Sequence, residues 1–102
     1  MIISEEGLLI TARFFYAIEV LTHRRKLRGL NTFARAYNIN YWNLTTLKNF
    51  PKEHALKPEW LSFLVTDYGV SADYLLTGRG MMFLENEEAE KKSAALTSGR
   101  PR

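Results

Sequence analysis

The sequence contains no cysteine, few prolines and no long apolar run. Without cysteine the chain has no disulfide framework, no thiol nucleophile and no thiolate zinc site. No stretch approaches the roughly 18 apolar residues of a membrane span, so we expect no membrane partner. The first residues lack the basic-then-apolar layout of a secretion signal, which favours a cytoplasmic location. A length of 102 residues with 46% hydrophobic side chains fits one ordinary globular domain.

Residue arrangements that carry catalysis or bind metals are also missing from the sequence. There is no nucleophile elbow, no phosphate-binding glycine loop and no pair of acidic residues placed to form a cleft. The two histidines, His23 and His54, have no neighbours at the spacing of metal ligands. We therefore expect a protein that is not an enzyme and has no metal or other cofactor. Whether a small-molecule effector binds is left open.

The net charge of +3 conceals an uneven distribution along the chain. Residues 7–57 hold nine basic and two acidic residues, a balance of +7. Residues 1–6 and residues 58–102 each balance to −2. A basic first half indicates a polyanionic partner, while a solvated surface rich in lysine and arginine is the alternative.

Apolar residues recur at helical spacing, and no segment shows the alternation of a strand. We predict a first helix that begins with Ser4 or Thr11 as its N-cap and ends at Gly29 in a left-handed conformation. Pro58 fits the first position of a later helix, which Gly69 ends. The apolar face of the first helix comprises Ile10, Phe14, Ala17, Ile18 and Leu21.

Three more short helices complete the prediction. Their expected ranges and N-caps are 32–37 with Asn31, 41–49 with Asn40, and 72–77 with Ser71. Five helices within about 75 residues, joined by short links, make a compact all-α domain, which we assign to residues 1–84. Residues 85–102 are rich in glutamate and small polar side chains, and we predict a charged, flexible tail there.

Residues 31–49 meet the demands of two short helices that cross at a tight turn. The first helix needs an inward apolar residue, then a small residue at the crossing, then another inward residue. The turn needs a residue that tolerates positive φ, followed by an apolar plug. The second helix needs inward residues three positions apart. These seven positions are filled by Phe33, Ala34, Tyr37, Asn38, Ile39, Leu44 and Leu47.

This segment resembles the helix-turn-helix of the phage-repressor class, the Cro and lambda-repressor type also called the XRE family. Residues 60–64 (Trp-Leu-Ser-Phe-Leu) and 68–80 (Tyr-Gly-Val-Ser-Ala-Asp-Tyr-Leu-Leu-Thr-Gly-Arg-Gly) are similar to the closing helices of that family. The likeness covers residues 11 to 84. It departs from the family pattern at Asn38, where glycine is usual, and at the bulky Tyr37 and Trp42. It implies a five-helix, lambda-repressor-like fold that binds duplex DNA and regulates transcription.

In such a pair the second helix, here residues 41–49, enters the major groove. With Leu44 and Leu47 inward, Asn43 is placed to pair with adenine, and Thr45 and Thr46 to meet base edges or thymine methyl groups. Lys48 and Lys52 attract phosphates. The full candidate set for DNA binding is Thr32, Arg35, Asn40, Tyr41, Trp42, Asn43, Thr45, Thr46, Lys48, Asn49 and Lys52.

A single short recognition helix makes few base contacts, so we expect a homodimer that acts as a repressor by occupying two half-sites. The surface expected to join the subunits lies near Tyr74, Leu75, Met81, Met82 and Phe83. The alternative is a protein-interaction module, or an antitoxin-like partner, that reuses the helix-turn-helix fold with Tyr41 and Trp42 as its binding centre.

Overall fold

Five helices account for most of residues 2–83, the part of the chain that the computed structural model describes. They are α1 (Glu5–His23), α2 (Leu30–Ala36), α3 (Tyr41–Asn49), α4 (Pro58–Tyr68) and α5 (Ala72–Thr77). Within 2–83 the sole β pairing is an isolated bridge between Val70 and Phe83. The expected compact, all-α, five-helix domain is confirmed. The predicted tail, 85–102, lies outside the described residues.

Most of the predicted helix ends are confirmed by their capping geometry. The Ser4 hydroxyl accepts a hydrogen bond from the Gly7 N–H at 3.0 Å, and Ser71 caps α5 in the same way. Pro58 occupies the first turn of α4, where its missing N–H is not needed. Gly69 has a φ of 71°, which ends α4 in the left-handed region that glycine adopts without strain.

The predicted end of α1 is wrong. The helix stops at His23, and Arg25, with a φ of 63°, takes the left-handed position assigned to Gly29. The Lys26 N–H then donates to the Leu21 carbonyl at 2.9 Å, which closes a Schellman turn. The early turn allows Leu27 to be buried, with 5% of its surface exposed. Gly29 is in extended backbone and simply precedes α2.

Of the two alternatives for the start of α1, Ser4 and not Thr11 is the N-cap, and the predicted N-cap of α2 is wrong. Thr11 is buried inside α1 with 3% of its surface exposed, so it packs in the helix rather than beginning it. Helix α2 starts at Leu30, two residues before the predicted start, and it has no side-chain cap. Asn31 therefore lies within the first turn of α2 instead of preceding it. Leu30 packs against the core, and this burial favours the earlier start.

An aromatic cluster forms the centre of the core and joins three helices. Phe14 of α1 is fully buried, and its ring centroid lies 5.9 Å from that of Phe33 of α2 and 6.3 Å from that of Trp60 of α4. Such ring pairs add specific geometry to the burial of apolar surface. Leu44 and Leu47 of α3 belong to the same core, so α3 is anchored by its inner face.

Arg13 connects α1 to the far end of the domain. Its Nε donates to the Leu75 carbonyl at 2.9 Å and its second terminal nitrogen donates to the Leu76 carbonyl at 3.2 Å. A cation at the C-terminus of α5 is favoured by the helix dipole and satisfies carbonyls that have no helical partner. Arg13 was counted among the bases of the basic half, but the structure uses it to hold α5 in place.

Candidate nucleic-acid interface

The turn between α2 and α3 is a second Schellman turn. The Ile39 N–H donates to the Ala34 carbonyl at 2.8 Å, and the Asn38 N–H donates to the Arg35 carbonyl at 3.3 Å. Asn38 takes the left-handed position with a φ of 56°, as predicted. Asparagine tolerates this region better than other non-glycine residues, so the turn closes without glycine.

The seven positions predicted for the helix pair are occupied as expected. Apart from Asn38, the exposed turn residue, all of them face the core. Tyr37 and Ile39 are half-buried against the core. The four that are fully buried are Phe33, Ala34, Leu44 and Leu47. Because the inner faces of both helices are committed to the core, the opposite face of α3 is left for solvent or a partner.

Tyr37 fixes the helix pair against α4. Its ring stacks on that of Phe63 with centroids 4.1 Å apart and planes only 4° from parallel. Its hydroxyl donates to the carboxylate of Asp67. Burial, with a contribution from this hydrogen bond, raises the pKa of Tyr37 well above its ordinary value. The bulky Tyr37 is therefore a structural bridge between the helix pair and α4.

The outward face of α3 is neutral and partly aromatic. Successive residues lie about 100° apart around a helix, so Trp42 and Asn49 stand opposite Leu44 and Leu47, with Thr45 and Thr46 beside them. Trp42 has 70% of its surface exposed. Tyr41, Asn43 and Lys48 are exposed along the two edges of this face. An α-helix with its side chains is about 10–12 Å across, which fits the width of a major groove.

Two of the predicted ligand-binding side chains are already engaged within the helix. The Asn40 side-chain oxygen accepts hydrogen bonds from the Trp42 N–H at 2.8 Å and the Asn43 N–H at 3.2 Å. It caps α3, as predicted, and keeps only its NH₂ group for a phosphate. The Thr45 hydroxyl donates to the Trp42 carbonyl at 3.0 Å. Thr45 therefore offers chiefly its methyl group to a partner.

The remaining candidates surround α3 rather than sharing its outward face. Arg35 is exposed on α2, and Lys52 is exposed in the loop that follows α3. Thr32, on α2, is half-buried. Lys48 lies at the mouth of a groove of about 550 Å³ between α1 and the α2–α3 pair, opposite Glu19 and His23. These side chains therefore lie around the outward face of α3 and not on it.

The segment of the chain that forms α2 and α3 carries charges of one sign. No acidic residue occurs between Glu19 and Glu53, an interval that includes all of α2 and α3. Seven basic residues lie in the same interval, namely Arg24, Arg25, Lys26, Arg28, Arg35, Lys48 and Lys52. Arg24 lies over the ring of Phe83 at 4.2 Å from its centroid and so packs on the domain. All seven are exposed, and they give the segment from residue 20 to residue 52 a net positive charge.

Sequence reasoning missed Phe50 at the C-terminus of α3, whose ring is 55% exposed. It also missed a cleft of about 200 Å³ beside Asn43, bordered by the turn residues and by Lys57 and Glu59 at the start of α4. Phe50 was missed because it lies just beyond the helix, where helical periodicity assigns no face. The cleft requires the packing of α4 against the turn, for which the sequence carries no local signal.

Residues 2–83 contain no group of three or more histidines and acidic residues placed to hold a metal ion. None of the helices in this part of the chain is both long and apolar enough to cross a membrane. No protein-family model, curated protein or solved structure matches the chain. Its function is therefore inferred from the geometry and charge of the α2–α3 pair.

Proposed function

We propose that the protein is a sequence-specific, duplex DNA-binding transcriptional regulator of the lambda-repressor-like type, which reads the major groove with α3. One observation carries the proposal: the outward face of α3 is neutral, with Trp42 and Asn49 exposed at its centre, and the helix pair holds bases but no acids. Neutral hydrogen-bonding side chains suit base edges, and flanking cations suit phosphates. The protein acts as a repressor when it occupies its operator.

The second candidate function is a protein-interaction module or antitoxin-like partner built on the same fold. It is favoured by the large exposed aromatic rings on and next to α3: Tyr41 is 47%, Trp42 is 70% and Phe50 is 55% exposed. Aromatic residues of this kind are enriched at the energetic centres of protein interfaces. The uniform positive charge of the helix pair favours DNA as the first choice.

The salt dependence of binding to random duplex DNA tests the proposal. For a DNA-binding protein the logarithm of the affinity falls with the logarithm of salt concentration, by about 0.9 for each phosphate neutralised. Lys48→Ala is expected to weaken binding to all sequences and to reduce that slope by about 1. Fluorescence anisotropy over a series of salt concentrations measures both quantities.

Arg79→Ala is the matched control, because Arg79 is also exposed but follows α5 and does not belong to the helix pair. It removes the same charge and is expected to leave the slope nearly unchanged. Absence of duplex binding by the wild type at low salt would overturn the DNA proposal. Equal effects of the two variants would mean that net charge, and not the α3 surface, attracts the DNA.

A further inference from the structure

We infer that the half-site under α3 is rich in A·T pairs and that the thymine methyl groups are recognised by the apolar groups of α3. This inference rests on the proposed DNA-binding function and names the class of site that the protein reads. It follows from which side chains the outward face of α3 presents and from which ones it lacks.

The side chains that read G·C pairs are absent from the outward face. In the major groove, guanine is read mainly by arginine or lysine, and cytosine donates to aspartate or glutamate. Helix α3 contains no arginine and no acidic residue. Its one lysine, Lys48, lies at the edge of the outward face that borders the groove against α1, and Glu19 lines the same groove.

The side chains that read A·T pairs are present. Asparagine pairs with adenine, and apolar groups contact the thymine methyl. Asn43 and Asn49 are exposed, and within residues 2–83 no hydrogen bond engages either side-chain amide. Trp42 supplies a large apolar surface at the centre of the face, where a charged residue would be needed to read guanine.

The hydroxyl of Thr45 is engaged in a hydrogen bond, which leaves its methyl group for contact with a partner. Its hydroxyl donates to the Trp42 carbonyl, so the methyl group is the part that Thr45 presents next to the indole of Trp42. Thr45 and Trp42 are neighbours on the outward face of α3, with Asn49 beside them and Asn43 at one edge. Amide groups that suit adenine and apolar groups that suit the thymine methyl therefore share one face.

The experiment uses the full chain and a pool of random duplexes, from which bound sequences are selected. Each thymine of the selected duplex is then replaced by deoxyuridine, which removes the methyl group and preserves base pairing. An A·T-rich consensus is expected, and each contacted methyl that is removed should weaken wild-type binding by about fourfold. Affinities are measured by titration at fixed salt.

Thr45→Ser tests the residue, since serine keeps the hydroxyl and lacks the methyl. It should lose sensitivity to deoxyuridine at one position of each half-site. Thr77→Ser is the matched control, because the Thr77 hydroxyl also bonds a helix carbonyl, that of Asp73 at 2.7 Å, on α5. It should retain the full wild-type sensitivity.

Three outcomes would overturn the inference. A G·C-rich consensus, or an A·T-rich one that is insensitive to deoxyuridine, would contradict methyl recognition and leave DNA binding intact. Salt-dependent binding without any consensus sequence would also contradict methyl recognition and leave DNA binding intact. Absence of binding to the pool at low salt would overturn the inference together with the proposed function.

Discussion

At the scale of single residues, Arg25 carries a backbone conformation that suits glycine. Its φ of 63° places a side chain in the left-handed region, at a cost of about 1 kcal/mol or more. Arg25→Gly removes that strain but gives the unfolded chain more freedom. We expect a net gain of about 0.5–1 kcal/mol in the free energy of unfolding, measured by urea denaturation.

Arg25→Ala separates backbone strain from charge. It deletes the same guanidinium and keeps a β-carbon in the left-handed turn, so it should give little or none of the gain. Equal stabilisation by both variants would show that relief of charge repulsion within the run from Arg24 to Arg28, and not strain, limits stability there.

Tyr37 makes stability depend on pH in the alkaline range. Its pKa is raised by burial and by the hydrogen bond to Asp67, so the folded protein holds the phenol proton above the ordinary tyrosine pKa of about 10. The stability that comes from the raised pKa of Tyr37 is fully present below pH 10. Above it the unfolded chain releases its proton first, and the free energy of unfolding falls by up to about 1.4 kcal/mol per pH unit.

Tyr37→Phe is expected to remove part of this alkaline loss. Near neutral pH it should cost about 1 kcal/mol, the value of a typical hydrogen bond, because the Asp67 carboxylate loses its donor. Urea denaturation between pH 7 and pH 11 measures both the cost near neutral pH and the alkaline loss of stability. Burial raises the pKa of Tyr74 as well, so a residual slope remains. If Tyr37→Phe keeps the wild-type slope of stability against alkaline pH, the slope does not arise from Tyr37. Tyr41→Phe, at an exposed position of α3, is the matched control.

At the scale of secondary structure, helices with local signals were predictable. The bounds of α3 follow from the Asn40 cap and the Leu44–Leu47 face, and both are observed. Helix α5 is likewise defined by Ser71 and Gly78 on either side. These ends depend on side chains within a few residues of the helix, so their signals are visible in the sequence.

The end of α1 and the start of α2 depend on tertiary packing. The burial of Leu27 and Leu30 against the core shifts both ends away from the residues with the strongest local preference, Gly29 and Asn31. Some features of the candidate interface likewise follow from local sequence, and others depend on tertiary packing. Its outward face was predictable from helical period, while the engagement of the Thr45 hydroxyl and the bridge from Tyr37 to Asp67 required the packed structure.

At the scale of the whole molecule, the expected pairing surface needs correction. Leu75 and Phe83 are 1% and 6% exposed, so they belong to the core of the domain and are not available to a second copy. Met82 is half-buried. Near them in the chain, Leu76 and Met81 are 50% and 52% exposed, and we propose that these two side chains contact the partner in a homodimer.

Leu76→Lys tests this surface, because a lysine on an apolar contact leaves a buried, unpaired charge in the dimer. The variant is expected to shift the protein from dimer to monomer in sedimentation equilibrium without loss of helix content. It should weaken binding to a duplex with two half-sites and leave binding to a single half-site unchanged. Ile2→Lys, at a side chain that is 94% exposed, adds the same charge and should alter neither. If the Leu76→Lys variant remains a dimer, the subunits pair through another face. If the wild type is a monomer that binds two half-sites independently, the proposed homodimer is wrong and the proposed role of α3 is unaffected.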